Sequence, residues 1–171
     1  MDRFKQLIRD VPDFPKPGIV FRDITPLLRD GPAFAGAIDQ FAKRYARRRI
    51  DAVVAIESRG LILGAALAMR LNAGLVPVRK RGKLPHKTHQ EPCELEYGKE
   101  VLEIHQDALQ PRERVLIVDD VLATGGTMQA AIRLVGRLRA TVTETAFLIE
   151  LTPLKGRKKL VPHPVFSLVK Y

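Results

Sequence analysis

Two adjacent carboxylates precede a glycine-rich turn in the second half of this chain. Asp119 and Asp120 follow a short apolar run, and Gly125 and Gly126 stand among other small residues. A turn of this kind can direct several backbone N–H groups at one oxyanion, and the positive end of a following helix adds to the attraction. Carboxylates repel phosphate, but they accept hydrogen bonds from hydroxyls. The segment 114–127 therefore predicts a site for a ligand with both a phosphate and vicinal hydroxyls, such as a ribose 5-phosphate group.

This predicted phosphate loop differs from the two common nucleotide motifs. No lysine follows the glycines, so it is not a P-loop of the GxxxxGK[ST] type, and it lacks the GxGxxG pattern of dinucleotide-binding folds. The alternative is an ordinary strand–turn–helix junction with surface aspartates. The residues assigned to the loop are Ala123, Thr124, Gly125, Gly126 and Thr127.

Two further polar turns contain cations that could bind a second anionic group. A buried strand is predicted over 51–57, and Arg59 lies in the turn that follows it, beside the free N–H groups of a helix start. Another strand, 74–79, leads into a basic run that opens twenty residues, 79–98, with little apolar content. Long loops inside compact domains are usually functional lids or disordered segments. We therefore expect a lid there.

The pattern of apolar residues indicates the elements that position these turns. Helices are predicted over 2–10, 32–49, 60–71 and 127–139, and strands over 51–57, 74–79, 99–105, 115–118, 141–151 and 165–171. The alternation of strands and helices predicts an α/β fold with a mainly parallel central sheet flanked by helices. Ligands of such sheets bind at the carboxyl ends of the strands, where all three turns fall.

Composition narrows the classes of partner. The chain has 171 residues and a net charge of +10, from 29 basic and 19 acidic residues. Such an excess suits either nucleic acid or a polyanionic small ligand. Because no aromatic residues interleave with the basic ones, we expect no nucleic-acid partner and mostly solvated basic helix faces. The sequence has no apolar stretch long enough to span a membrane, so we expect no membrane partner. The single cysteine, Cys93, suits a protein of the cytoplasm.

The segment VLIVDDVLATGGT resembles the phosphoribosyl-pyrophosphate (PRPP) motif of the type I phosphoribosyltransferases. Four other segments resemble the branch of that family that uses adenine: FPKPGIVFRDITPLL at 14–28, ESRG at 57–60, RKRGKLP at 79–85 and LEYG at 95–98. The resemblance implies transfer of the 5-phosphoribosyl group from PRPP to N9 of adenine, giving AMP and pyrophosphate. It also implies a homodimer, and Mg²⁺ bound chiefly through PRPP oxygens and water, without dedicated protein ligands.

The same resemblance implies an arrangement of the whole chain. We expect one domain over 1–171, with an N-terminal helix and hood over 1–31 and a flexible lid and flap over 79–105. It implies that Asp119 and Asp120 hold the ribose hydroxyls and that the loop at 123–127 holds the 5-phosphate. The residues that it implies for pyrophosphate are Glu57, Ser58, Arg59, Arg79, Lys80 and Lys83, with Arg79 as a candidate to act in the neighbouring subunit. It further implies a non-proline cis peptide between Glu57 and Ser58.

The base and the proton transfer are assigned to the hood and the lid. The resemblance places Val20, Phe21 and Arg22 at adenine, where Phe21 offers an aromatic face and backbone groups near Val20 can read the base edge. Core packing is the alternative for Phe21. The resemblance makes Glu96 the catalytic acid/base near N7 of the purine and Tyr97 a lid residue. From the residues alone, Glu91 and Glu94 are rivals of Glu96.

Other functions remain open at this point. The chain could transfer phosphoribose to a 6-oxopurine or to orotate, or it could be a non-catalytic PRPP-binding regulator that binds nucleic acid. The spacing of His86, His89 and Cys93 also leaves a metal site open.

Overall fold

Among the residues that the structure describes, seven strands form one mixed sheet with the order β5-β6-β4-β3-β7-β8-β9. The structure is a computed structural model that describes residues 2–94 and 99–171. Five of the strands are parallel, whereas β6 runs antiparallel to both β4 and β5. The strands are β3 Ala52–Ile56, β4 Gly74–Lys80, β5 Thr88–Glu94, β6 Lys99–His105, β7 Arg114–Leu122, β8 Thr141–Glu150 and β9 Val165–Lys170. The expected α/β class is confirmed.

Helices cover both faces of this sheet. The longer ones are α3 Gly31–Tyr45, α4 Arg59–Leu71 and α5 Gly126–Arg137, and the short ones are α1 Asp2–Gln6, α2 Thr25–Arg29 and α6 Arg157–Leu160. The Asp30 side chain caps α3 by accepting a hydrogen bond from the N–H of Ala33 at 2.9 Å, which satisfies one of the free donors of a helix start. None of the helices in the described ranges has the length and apolar character needed to span a membrane.

Strand β7 is buried on both faces, as its apolar run predicts. Val115 and Ile117 pack into the core on the side of α5, and Leu116 and Val118 pack into the core on the side of α3 and α4. This division follows from the pleat, because successive side chains of a strand point to opposite faces. The strand that carries the two aspartates is therefore fixed from both sides.

The N-terminal segment differs from the prediction. The helix expected over 2–10 ends at Gln6, and a strand β1, Arg9–Pro12, follows it. It pairs antiparallel with β2, Val20–Asp23, in a small separate sheet. Pro12 lies at the end of this ribbon, a position that does not require the N–H group that proline lacks. The hood region thus contains a two-stranded hairpin.

The lid region also has more regular structure than expected. Within the predicted loop 79–98, β5 pairs with β6 along its whole length, so the second arm of the expected flap is confirmed and the first arm was missed. The sequence of β5 hides its strand character because Glu91 occupies a buried position where strands usually place apolar residues.

Several basic residues that were expected to be solvated instead pair with buried glutamates. Glu144, which is 1% exposed, accepts two hydrogen bonds from Arg44 and one from Arg48. Arg157 pairs with Glu150 at 2.6 Å. A buried carboxylate is costly unless it is paired and hydrogen-bonded, so part of the large positive charge serves to neutralise acids inside the fold.

Candidate active site

The three polar turns predicted from the sequence come together at one edge of the sheet. Strand β3 lies between β4 and β7, and the register pairs Ile56 with Val78 and Ala55 with Val118. The three strands are parallel, so Glu57, Lys80 and Asp119 emerge at the same edge. The expected convergence is therefore confirmed, as is the expected cis peptide between Glu57 and Ser58.

Asp119 and Asp120 lie inside β7, whereas the sequence placed the end of the strand at them. Pairing with β8 continues to Leu122, which explains the longer strand. The two residues are 9% and 6% exposed, and Oδ1 of Asp119 accepts a hydrogen bond from the N–H of Asp120 at 2.8 Å. Burial, together with the neighbouring charge of Asp120, raises the pKa of Asp119 well above its ordinary value.

The phosphate loop lies directly after this acidic pair. Gly125 has φ +85°, a left-handed conformation that side chains disfavour, and its α-carbon faces the carbonyl oxygen of Gly156, which would lie 2.8 Å from a Cβ there. Helix α5 begins at the next residue, so the loop has the helix start that an anion site requires. A cleft of about 380 Å³ opens over it, lined by Pro15, Asp119, Val121, Leu122, Ala123, Thr124, Gly125, Gly126, Thr127, Met128 and Phe147.

A second cleft of about 470 Å³ is lined by both members of the acidic pair. Its lining includes Asp119 and Thr127, which also line the first cleft. The other residues that line it are Glu57, Ser58, Arg59, Lys80, Cys93, Glu100, Leu102 and Asp120. A ligand with two anionic ends could therefore span both clefts across Asp119.

Arg59 lines the second cleft and is paired with one member of the acidic pair. Its Nε forms a short ion pair with Oδ2 of Asp120, and its guanidinium carbon lies 5.0 Å from the centre of the Phe21 ring. One cation thus touches the acidic pair and an aromatic residue of the N-terminal hairpin. A guanidinium beside a helix start can bind a phosphate through several N–H groups.

The predicted pyrophosphate residues are only partly brought together. Glu57 accepts hydrogen bonds from Arg79 Nε at 2.9 Å and from the Lys80 N–H at 3.0 Å. Burial raises the pKa of Glu57, but these donors outweigh it and leave the pKa below its ordinary value. Among the described residues that line the two clefts, Lys80 is present, and Arg79 and Lys83 are not.

Lys83 is held by its backbone. Its N–H donates to Glu103 at 3.0 Å, and the N–H of Leu84 donates to the same oxygen at 2.9 Å. Glu103 is 2% exposed, so a buried carboxylate on β6 shapes the turn of the basic run. Glu103 was not among the residues predicted from the sequence, although its place in an alternating strand with apolar neighbours on both sides was a signal.

The residues expected to contact the purine base lie on different faces of the hairpin of β1 and β2. Phe21 lies beside Phe14, with ring centres 5.2 Å apart, on the side of Arg59. Arg22 pairs with Asp10 and lies 4.0 Å from the Tyr171 ring, and Val20 is exposed. Neighbouring side chains of a strand point to opposite faces, so the side chains of Phe21 and Arg22 cannot both face the clefts.

The lid residues are described in part. Glu96 and Tyr97 lie outside the described residues. Of the two rivals, Glu91 is engaged by arginines of α5, and the Glu94 side chain is exposed. No group of three potential metal ligands was found among the described residues, which include His86, His89 and Cys93.

Glu100, Pro15 and Phe147 also line the clefts and were not predicted from the sequence. Glu100 pairs with Lys80 Nζ at 2.6 Å and lies at the start of β6, after the undescribed segment. Pro15 comes from the N-terminal hairpin, and Phe147 comes from β8. Both are apolar, so no chemical pattern in the sequence marked them.

Gly60 provides a direct test of how closely α4 packs on the acidic pair. A Cβ at this position would lie 2.8 Å from Asp119 Oδ1 and 3.1 Å from its Cα. We expect Gly60→Ala to lower the free energy of unfolding by about 1–3 kcal/mol, as overpacking does. It should also displace Asp119 and reduce turnover. Thermal unfolding and steady-state kinetics measure the two effects.

The matched control is Gly136→Ala in α5. No heavy atom would lie within 4 Å of its added Cβ, so this variant should gain about 0.5–1 kcal/mol of stability from helix propensity. Its kinetics should not change. Equal behaviour of the two variants would contradict the close packing of Gly60 on Asp119.

Comparison with known proteins identifies the class to which this fold and these clefts belong. The model of the family "Phosphoribosyl transferase domain" matches residues 27–169. The chain therefore belongs to the phosphoribosyltransferase family. The resemblance found in its sequence to type I phosphoribosyltransferases is confirmed.

Individual relatives narrow this assignment to proteins named for adenine. The chain is 56% identical over 165 residues to adenine phosphoribosyltransferase from Roseiflexus sp. (strain RS-1), covering 96% of both chains. It is similar to the crystal structure of adenine phosphoribosyltransferase from Thermoanaerobacter pseudethanolicus, with a TM-score of 0.96, 51% identity and 99% of both chains covered. The enzyme from Saccharomyces cerevisiae, solved in complex with an imino-altritol bisphosphate and adenine, has a TM-score of 0.92 and 41% identity, covering 98% of this chain and 97% of that one.

Proposed function

We propose that the two clefts form the site where this chain transfers the 5-phosphoribosyl group from PRPP to N9 of adenine, giving AMP and pyrophosphate. The observation that carries the proposal is that the phosphate loop and the turn of Arg59 line clefts that share Asp119 and Thr127. PRPP has a phosphate at one end, a pyrophosphate at the other and two hydroxyls between them. These groups match the order of the loop, the acidic pair and the cationic turn.

The chemistry follows from where the charges lie. N9 of adenine forms a bond to C1′ of PRPP while the bond from C1′ to the pyrophosphate oxygen breaks, and the pyrophosphate leaves with the bonding electrons. Positive charge develops on the ribose, and the carboxylates of Asp119 and Asp120, hydrogen-bonded to its hydroxyls, stabilise that charge. Arg59 and Lys80 stabilise the negative charge of the leaving group. Arg79 and Lys83 belong to the same basic run.

Proton transfer is assigned to the segment that follows β5. In this proposal the purine gives up one proton at N7 as N9 becomes bonded to C1′, and Glu96 accepts that proton as a positioned general base; in the reverse direction it donates the proton back as a general acid. Tyr97 belongs to the lid that excludes water, which would otherwise hydrolyse PRPP. The carbonyl oxygen of Glu94 lies close to Gly126 at the start of α5, and the segment 95–98 follows Glu94 directly in the sequence.

Recognition of adenine is assigned to the N-terminal hairpin. Phe21 supplies an aromatic face for the purine, and its place beside Arg59 puts that face next to the clefts. The contributions of Val20 and Arg22 come from their backbone, because the Arg22 side chain pairs with Asp10. A backbone carbonyl that accepts from the 6-amino group would be left facing an oxygen of hypoxanthine, and this disfavours 6-oxopurines.

Mg²⁺ is part of the proposal as a partner of PRPP. Among the described residues no cluster of three potential ligands is present, and the carboxylates that line the second cleft include partners of Arg59, Arg79 and Lys80. This arrangement would suit a Mg²⁺ ion that PRPP brings with it, and Asp119 and Asp120 would be the residues that help to hold it. When bound, the ion neutralises charge on the leaving pyrophosphate.

We also propose that the chain is a cytoplasmic homodimer. The exposed apolar residues Ile62 and Met69 of α4 and Leu75 of β4 offer a surface for a second copy. Arg79 would then be placed to act in the neighbouring subunit. The cytoplasmic assignment rests on Cys93, which is buried and unpaired.

A panel of bases tests the proposed function. The purified protein is given PRPP and Mg²⁺ with adenine, hypoxanthine, guanine, xanthine or orotate, and pyrophosphate release is measured. We expect adenine to be preferred by about 10⁴-fold or more, because a site built to pair with an amino group rejects analogues that lack it. A preference for a 6-oxopurine over adenine would contradict the assignment of base recognition to the N-terminal hairpin. PRPP binding without pyrophosphate release from any base would favour the regulator.

A further inference from the structure

Glu91 joins the hairpin of β5 and β6 to helix α5. Its Oε1 accepts a hydrogen bond from Arg133 Nε at 2.6 Å, and its Oε2 accepts one from Arg137 Nη2 at 2.6 Å. Arg133 also donates to the carbonyl oxygen of Pro92 at 3.2 Å. We call Glu91, Arg133 and Arg137 the flap latch. Both oxygens of the carboxylate are used in it, so Glu91 is engaged in holding two elements together.

Glu91, the strand residue of the flap latch, occupies a buried position of β5. Along β5, Glu91 and Cys93 point inward, and Glu91 is 8% exposed. A carboxylate in that position is costly without partners. Its two partners are four residues apart on α5, on the same face of the helix. Glu91 can therefore pair with both arginines in only one position of the hairpin on α5. If the hairpin moved along the helix, the buried carboxylate of Glu91 would be left unpaired.

The same strand reaches the phosphate loop at its other end. The carbonyl oxygen of Glu94 faces Gly126, where a Cβ would lie only 2.0 Å from it. Three residues of strand, from Glu91 to Glu94, span about 10 Å, and seven residues of helix, from Arg133 to Gly126, also span about 10 Å. Strand and helix thus run side by side from the latch to the loop.

We propose that Glu91 is a positioning residue for the transfer reaction. Through the latch it fixes the chain immediately before 95–98, the segment that contains Glu96, against the loop assigned to the 5-phosphate. Glu91 acts through this placement and does not contact substrate. The inference rests on the proposed function.

The test is Glu91→Gln, which keeps the shape of the side chain and removes its charge. We expect kcat to fall about tenfold, because small misplacement of a catalytic group is costly in rate. The KM for PRPP should stay within about twofold, since the phosphate loop and the Arg59 turn are unaltered. A merely structural residue would lower the melting temperature without this split between kcat and KM.

Glu144→Gln is the matched control. Glu144 is also buried and also accepts from two arginines, Arg44 and Arg48, but it lies near the amino end of β8. We expect this variant to lose stability and keep its kcat. Amide hydrogen exchange over Thr88–Glu94 provides a readout independent of activity, and it should become faster in Glu91→Gln and stay unchanged in Glu144→Gln.

A milder pair covers the case in which Glu91→Gln does not fold. Arg137→Gln removes one arm of the latch, and Arg48→Gln removes the equivalent arm on Glu144, at side chains that are 49% and 41% exposed. We expect roughly a threefold loss of kcat in the first and none in the second, since each keeps one charged partner.

The outcomes separate this inference from the proposed function. Wild-type kcat in Glu91→Gln, or an equal loss of kcat in Glu144→Gln, would overturn the positioning role while leaving adenine transfer intact. If Glu91→Gln is unfolded, wild-type kcat in Arg137→Gln does the same. A wild-type protein that forms no AMP would overturn the proposed function. In that case unchanged hydrogen exchange in Glu91→Gln would still overturn the latch.

Discussion

A chain in which Asp119 and Asp120 are both replaced by alanine is expected to form no detectable AMP. The two carboxylates are the groups that can pair with the ribose hydroxyls and with the positive charge that develops on the sugar. Preorganised charges of this kind supply several kcal/mol of transition-state stabilisation in enzymes generally, and losing one such group costs about 10²–10³ in kcat. Pyrophosphate release with saturating adenine and PRPP measures the loss. Turnover within tenfold of wild type would exclude the ribose assignment.

The folded state should survive this change, which makes the kinetic result interpretable. The pKa of Asp119 is raised by burial and by Asp120, so its ionised form is less favourable in the folded than in the unfolded chain. Ionisation of Asp119 therefore lowers the stability of the folded chain as the pH rises above the pKa of this group in the unfolded chain. We expect Asp119→Asn alone to melt at or above the wild-type temperature. Asp51→Ala, at the amino end of β3, is the control for removing an aspartate away from the clefts.

Glu96→Gln is expected to lower kcat by about 10²–10³ with little change in the KM for adenine, as loss of a general acid or base does. Glutamine fills the same space but cannot carry the proton. The structure limits the rivals, because Glu91 is bound by two arginines. Steady-state kinetics with adenine as the varied substrate measure the effect.

Glu94→Gln is the matched control for Glu96→Gln. Its side chain is exposed and lies two residues earlier on the same stretch. It should retain wild-type kcat. If Glu94→Gln instead loses turnover and Glu96→Gln retains it, the acid/base role belongs to Glu94.

The sequence predicted the part of the fold in which local pattern and packing agree. The apolar run of β7, buried on both faces, and the glycines that follow the strand were sufficient to predict a strand, a turn and the start of α5 around the acidic pair. The convergence of the turns at Glu57, Lys80 and Asp119 followed from the parallel alternation of elements alone. These features depend on short-range chemistry and on a general rule for parallel sheets.

The remaining features depend on contacts between distant residues. Strand β5 has a glutamate at an inward position, and only its pairing with Arg133 and Arg137, more than forty positions away in the sequence, makes that residue compatible with burial. The extension of β7 to Leu122 depends on pairing with β8. The face of the N-terminal hairpin on which the Phe21 side chain lies depends on the register of β2 with β1. None of these partners can be inferred from a local window.

The contact of Gly125 with Gly156 bears on how natural variants of this protein should be interpreted. A Cβ at Gly156 would lie 2.3 Å from the carbonyl oxygen of Ala123 in the phosphate loop. Gly156 lies in the connection between β8 and β9, which carries no recognisable motif, yet its backbone packs directly against the loop. Because this loop is the one assigned to the 5-phosphate, we expect a side chain at the buried Gly156 to displace the loop and to weaken PRPP binding.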